Sequence, residues 1–283
     1  MSEEIEFLKV ALPNKGSLAE SASQILKEAG YRQRSDARDL SFIDPDNGVE
    51  FYYLRPRDIA TYVGSGELAI GITGRDLLID SATSAVEISG LDFGKSTFRF
   101  AGRPGAHTLA GTRIATAYPT LVARYLSDNN ISANIVKLDG AVESAIRLGV
   151  ADVIADVVST GSTLKQAGLE IFGDAILASE AVLIEREKSI RNEKMETLIR
   201  RVNSVVIARQ YVLVDYDVPR SSLEVACELT PGLESPTISP LQKADWVAVR
   251  AMVKRSGVHS VMDQLWDIGA RGILVTDIHS CRL

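Results

Sequence analysis

Only two cysteines, Cys227 and Cys281, occur in 283 residues, far apart and without C-x-x-C spacing. Neither a disulfide framework nor a zinc site is therefore written into the chain. Histidine is as scarce: His107, His259 and His279 are scattered and form no triad or metal-binding pattern. Positive charge falls short of negative, with 31 Lys and Arg against 37 Asp and Glu. That balance argues against a general binder of nucleic acid or of anionic membrane, because such partners call for a positive surface. Any phosphate recognition must be local. No apolar run approaches the length that spans a bilayer, and the start carries Glu3, Glu4 and Glu6 where a secretory leader carries Lys or Arg. A cytoplasmic protein is expected, with no membrane and no nucleic-acid partner.

What is present is the composition of a globular protein, 46% hydrophobic and 24% charged, with no room for a large disordered region. The length fits two or three domains. Short β-branched runs alternate with helical patterns: a strand over 5–12, a helix over 17–29, and strands over 40–43 and 49–54 joined by the turn Pro45, Asp46, Asn47, Gly48. This is an α/β rhythm with one hairpin. Ser17 and Glu20 have capping-box spacing, and Gly30 stops the helix. Arg55, Pro56, Arg57 and Asp58 open a helix, 68–72 reads as a buried strand, and Thr73, Gly74, Arg75 and Asp76 turn into another helix. A second unit starts near Thr97, with strands at 113–117, 133–138 and 153–157 and helices at 121–126, 142–148 and from about Thr163. The strand at 181–185 returns to the first unit. Two lobes with a cleft are expected, joined by crossings near residues 101 and 179: residues 1–100 with 179–210, and residues 101–178.

Beyond a polar helix at about 188–209 the grammar changes. Strand, helix, strand, strand, helix and strand follow at 211–216, 221–229, 235–241, 246–253, 258–268 and 272–276. The order βαββαβ over residues 211–283 is that of a ferredoxin-like module. It repeats neither lobe and reads as an appended unit.

The most informative stretch runs from Glu143 to Leu164, where a buried strand ends in an acid, Asp156, and enters a hydroxyl-rich loop. Gly161 permits a tight turn, and Ser159, Thr160, Ser162 and Thr163 add hydroxyl donors to backbone amides. That is what a phosphate monoester needs. Each hydrogen bond to a charged group contributes roughly 1.5 to 3 kcal/mol, so three or four hold a 5′-phosphate without lysine. Asp156 at the strand mouth can accept from ribose hydroxyls, and the two grips together describe a sugar phosphate. A plain polar turn with a helix cap is the alternative. G-x-G-x-x-A at Gly64 to Ala69 precedes a strand where a dinucleotide fingerprint follows one, so it carries no Rossmann reading.

The run from Glu143 to Leu164 resembles the signature of ATP phosphoribosyltransferases, E-x5-G-x-A-x2-I-x-D-V-x2-T-G-x-T-L. Pro13 to Gly16, Leu54 to Asp58, Gly71 to Asp76, Ile114 to Pro119 and Thr230 to Thr237 extend the likeness to long-form members of actinobacterial type. The resemblance implies a core like that of periplasmic binding proteins, with two lobes, plus a ferredoxin-like regulatory domain. It implies attack of adenine N1 of ATP on C1 of phosphoribosyl pyrophosphate (PRPP), with release of pyrophosphate and inversion. This is the first step of histidine biosynthesis. Glu143 and Asp156 would hold the ribose hydroxyls, and Ser159, Thr160, Gly161, Ser162 and Thr163 the 5′-phosphate. Lys15 and Arg55 are candidates for the polyphosphates, and Tyr118 for stacking near adenine. Mg2+ would ride on the substrate phosphates, with no dense carboxylate cluster in the protein.

For the last domain the resemblance implies feedback inhibition by L-histidine and an assembly ranging from dimer to hexamer. Asp217 would pair the amino group or imidazole, with Leu233, Ser235, Thr237 and Gly272 forming the rest of that pocket. A plain oligomerisation module is the alternative. Two rivals stand for the whole chain: a non-catalytic two-lobed receptor, and a phosphoribosyltransferase for another base.

Overall fold

The computed structural model describes residues 7–105, 108–159 and 161–282, so Thr160, His107 and the start of the first expected strand lie outside the described residues. Two compact units are present. One runs as far as Glu196 without Glu28–Gly30, and the other takes Glu28–Gly30 and the described chain from Thr197 onward.

The first unit holds two sheets. β1 (Leu8–Pro13), α1 (Ser17–Glu28), β2 (Ser41–Asp44), β3 (Val49–Leu54), α2 (Pro56–Ser65), β4 (Ile70–Gly74), α3 (Arg75–Ser81) and β5 (Ala85–Gly90) lead into the second sheet. That sheet is built from β6 (Ser96–Gly102), β7 (Arg113–Thr116), α4 (Pro119–Asp128), β8 (Asn134–Lys137), α5 (Glu143–Arg147), β9 (Val153–Val158), α6 (Ser162–Gln166) and β10 (Glu170–Ser179). β11 (Ala181–Arg186) then returns to the first sheet, giving the orders β2-β3-β1-β4-β11-β5 and β10-β6-β9-β7-β8. β1 lies parallel to β3 and β4, and β7 parallel to β8 and β9. Strands covered on both faces lose their polar alternation, and β4 is buried at all five positions. We call the first sheet with its helices lobe I and the second lobe II.

β11 pairs with β4 and β5, so the chain re-enters the first sheet at Ala181. The first crossing differs: expected near 101, it occupies residues 91–95, because β6 already pairs with β9 and β10. The sequence pattern does not reveal β5 or β10, and β10 hides its alternation in a register shift between Phe172 and Leu177. The two crossings bind one another, with Leu91 N–H donating to the Ala181 carbonyl and Ala181 N–H to that of Phe93, each at 2.9 Å. Arg75 clasps them. It donates to both oxygens of Glu87 at 2.8 Å and to Glu180 at 3.0 Å, while the other oxygen of Glu180 accepts from Asp92 N–H.

In the second unit, β12 (Tyr211–Pro219), α8 (Leu223–Leu229), β13 (Thr237–Pro240), β14 (Trp246–Lys254), α9 (Val258–Asp267) and β15 (Arg271–Asp277) form an antiparallel sheet ordered β13-β14-β12-β15. This is the ferredoxin-like arrangement read from the sequence. Alternate residues Val212, Val214, Tyr216 and Val218 of β12 and Val247, Val249 and Val253 of β14 are buried in one core with Val258 and Leu265 of α9. The helix α7 (Glu193–Gln210) begins in the first unit, but its second half belongs with this module. Cys281 N–H donates to the Ser204 carbonyl and Arg255 Nε to that of Arg209. The division between the two compact units therefore falls inside this helix. Among the described residues no helix is long and apolar enough to cross a membrane.

Candidate active site

Parallel strands in α/β sheets present their carboxyl ends, and the loops that follow, to ligands. β1 and β4 of lobe I and β9 of lobe II all end at one cleft of about 370 Å³, lined by residues that include Lys15, Pro56, Gly74, Asp76, Lys95, Tyr118, Val157 and Ser159. Two larger hollows, of about 680 and 620 Å³, lie elsewhere, around Lys9, Glu67 and Lys194 and around Arg186 and Ile190. Neither holds any of the residues singled out for chemistry.

Asp76 lines the cleft, and Asp156 and Glu143 lie close enough to share its electrostatics. Asp76, in the first turn of α3, is buried, and its Oδ1 accepts from the Ser179 hydroxyl at 2.6 Å while Ser179 Oγ accepts from Asp76 N–H at 3.1 Å. A side chain at Gly74 would push this carboxylate out of place, because a Cβ there would stand 2.4 Å from Asp76 Oδ1. Asp156, two residues before the end of β9, is half-buried and accepts from Val157 N–H at 2.8 Å. Burial, followed by the negative charges of Glu143 and Asp76, lifts its carboxyl above the usual range against the pull of the Val157 amide and Arg57. Burial likewise raises the Tyr118 phenol, helped by the charge and hydrogen bond of Asp76 and by Asp156, with Arg57 opposing. Asp156, Asp76, Glu143, Tyr118 and Arg57 thus share one electrostatic neighbourhood. The cleft itself is lined by Lys15 and Lys95 as well as Asp76, while Asp156 and Glu143 act on it from just behind the Tyr118 and Val157 wall. Cations beside carboxylates suit a ligand that carries phosphates and also presents hydroxyls or developing positive charge.

The expected residues separate. Lys15, Tyr118 and Ser159 line the cleft. Gly161 takes a left-handed φ of 70° at the start of α6, followed by exposed Ser162 and Thr163. Arg55 is exposed and does not line the cleft, since Pro56 next to it turns the chain into α2. Its neighbour Arg57 meets Tyr118, with the guanidinium carbon 4.8 Å from the ring centroid. Sequence reasoning gave no role to Arg57, Asp76 or Ser179. The first two stand in the quoted runs L-R-P-R-D and G-I-T-G-R-D, where helix-opening charges look like ordinary caps. Among the described residues no three His, Cys, Asp or Glu side chains come together as a metal site.

On the ferredoxin-like module, a Cβ added to Gly272 would lie 3.8 Å from Asp217 Oδ2, next to a register shift between Asp215 and Asp217. Thr237 lines a hollow of about 220 Å³ with Asp215, Ser239 and Arg250 on the sheet face away from the helices. Leu233 and Ser235 are exposed in the loop before β13. Gly232 makes that loop tight, its would-be Cβ lying 3.1 Å from the Ser235 backbone.

Comparison with known proteins adds an independent finding. The family described as HisG: ATP phosphoribosyltransferase matches residues 55–204, and that described as HisG, C-terminal domain matches residues 208–280. An ATP phosphoribosyltransferase of Pseudarthrobacter chlorophenolicus is 58% identical over 283 residues, covering 98% of this chain and 100% of that protein. One of Salinispora tropica is 58% identical over 280 residues with the same coverage. Among solved structures, the ATP phosphoribosyl transferase (HisG:HisZ) complex from Thermotoga maritima is similar with a TM-score of 0.62 and 30% identity, over 71% of this chain and 98% of that one.

Proposed function

Because the chain belongs to the ATP phosphoribosyltransferase family, which acts at the first step of histidine biosynthesis, we propose that its cleft joins adenine N1 of ATP to C1 of PRPP. The N1–C1 bond forms as the bond from C1 to pyrophosphate breaks, with inversion at C1. The observation that carries this reading is the juxtaposition at one cleft of Ser159, at the start of the hydroxyl-rich loop, with Tyr118 and the Lys15 ammonium. Asp156 and Glu143 hold the ribose hydroxyls. The loop from Ser159 to Thr163 takes the 5′-phosphate, and the Tyr118 ring receives adenine.

Little acid-base chemistry is required. Pyrophosphate is a good leaving group once a divalent cation neutralises it, and Mg2+ enters with the substrates. The oxocarbenium-like sugar of the transition state is stabilised by fixed negative charge, which Asp156 and its carboxylate neighbours supply without reorganisation. Orientation of the two substrates across the cleft supplies the rest. Lys15 faces the polyphosphates from lobe I; Arg55 would have to swing in to do so.

The C-terminal module is proposed to bind free L-histidine at Asp217, with Leu233, Ser235, Thr237 and Gly272, and to inhibit the reaction within a homo-oligomer that ranges from dimer to hexamer. The nearness of Gly272 to Asp217 supports this reading. Pyrophosphate release on mixing the protein with ATP, PRPP and Mg2+ tests the catalytic part. Release with ATP but not with free bases is the expected result, and release only with a free base would move the chain to another phosphoribosyltransferase activity.

A further inference from the structure

α4 opens at Tyr118 with no capping side chain of its own element. The first amides of a helix have no partner within it and need an acceptor from outside. Here the acceptor comes from the other lobe. Asp80 of α3 takes Thr120 N–H at 2.9 Å and Leu121 N–H at 3.2 Å on one carboxylate oxygen. Its other oxygen accepts from Arg57 Nη1 at 2.9 Å, and only 6% of the Asp80 side chain is exposed. Arg57 in turn lays its guanidinium over the Tyr118 ring. Phe98 of β6 meets the same ring edge-on, at 5.1 Å between centroids and 76° between planes, and Tyr118 N–H donates to Thr116 Oγ1 at 3.0 Å. The ring is therefore fixed within lobe II at its backbone and one edge, while its cation and the cap of its helix come from lobe I.

We propose that Arg57 and Asp80 are positioning residues for the nucleotide base: together they hold the Tyr118 ring and the start of α4 in the orientation that receives adenine. This rests on the assignment of Tyr118 to adenine made above. Asp80 anchors Arg57 while capping α4, so one buried carboxylate ties the ring, its cation and its helix together across the cleft. A cation over an aromatic face is worth enough to shift affinity by about three- to tenfold. The effect should fall mainly on the substrate that meets the ring, because no Arg57 or Asp80 hydrogen bond reaches the loop from Ser159 onward among the described bonds and Arg57 influences Asp156 through its charge alone, as the last of the causes acting on that carboxyl.

Steady-state kinetics of wild type, Y118A, R57A, R57K and D80N test this, with each substrate varied at saturation of the other. R57A and D80N are expected to raise KM for ATP by about three- to tenfold and to leave KM for PRPP within about twofold. R57K, which keeps a cation over the ring, should restore KM for ATP to within about threefold of wild type. If Y118A weakens ATP but R57A leaves it within about twofold, the proposal is overturned while the adenine assignment stands. Parallel rises in both KM values in R57A, unrescued by R57K, also overturn it, since they mark a merely structural role. Y118A without effect on KM for ATP removes the adenine assignment and the proposal with it.

Discussion

Replacing Asp156 by Asn should make the unliganded protein more stable and nearly inactive. The substitution keeps the acceptor for Val157 N–H, which lies at 2.8 Å, and removes only the charge. That charge is unfavourable in the folded state, because burial and the neighbouring Glu143 and Asp76 carboxylates hold the Asp156 pKa above its usual value. The sign follows from linkage: the folded chain keeps this proton to higher pH than the unfolded chain, so stability falls as pH rises from the ordinary carboxylate pKa through the raised one. At neutral pH the ionised group is a net cost. Relief of an active-site cost of this kind commonly stabilises by about 1 kcal/mol, or about 2–4 °C in Tm for a chain of this size. The same change weakens two charge-assisted hydrogen bonds to ribose hydroxyls, at roughly 1.5 to 3 kcal/mol each, and so lowers kcat/KM by about 10²- to 10⁴-fold. Thermal melts in the absence of ligand, run upward from the ordinary Asp pKa of about 3.9 to neutral pH, should show the gap between variant and wild type widening as pH rises through the raised pKa and then levelling off. Pyrophosphate release measures the activity. A variant that melts below wild type, or that keeps kcat/KM within about tenfold, would refute the reasoning.

Asp217→Ala should leave the uninhibited rate near that of wild type while removing inhibition by L-histidine, measured as pyrophosphate release over a histidine titration; retained inhibition moves the effector pocket elsewhere. Tyr216→Phe removes a buried hydroxyl that meets Thr230 Oγ1 at 2.7 Å and the Ala226 carbonyl at 3.2 Å. Thr230 keeps its own bond to the same carbonyl at 2.9 Å, so the cost should be about 1 kcal/mol by denaturant unfolding, with no change in KM for either substrate.

Much of the fold was legible because local pattern and burial agree. β4 is buried throughout, β1 is buried but for Lys9 and β11 but for Arg186, so these strands read as mainly apolar runs, and the βαββαβ module alternates buried and more exposed positions on β12 and β14. What escaped was non-local. β10 is broken by Gly173 at φ 66° and a register shift, so its period is lost in the sequence. In the site, Asp156 and the loop after it announce themselves by chemistry at a strand end. Asp76, Asp80 and Arg57 do not: on a single helix each looks like a first-turn or surface charge, and the burial of the two acids appears only when Ser179 and the start of α4 are brought against them. The exposure of Arg55, a candidate for the polyphosphates, was hidden for the same reason, because where each arginine of R-P-R points depends on how Pro56 starts α2.

The loop after β9 is the feature on which the catalytic account stands, and the variant Ser159→Ala with Thr163→Ala tests it most directly. Losing two hydroxyl donors to a phosphate should raise KM for PRPP at least about tenfold while KM for ATP stays within about twofold. Equal effects on both substrates, or none on PRPP, would contradict the assignment of this loop to the pentose 5′-phosphate.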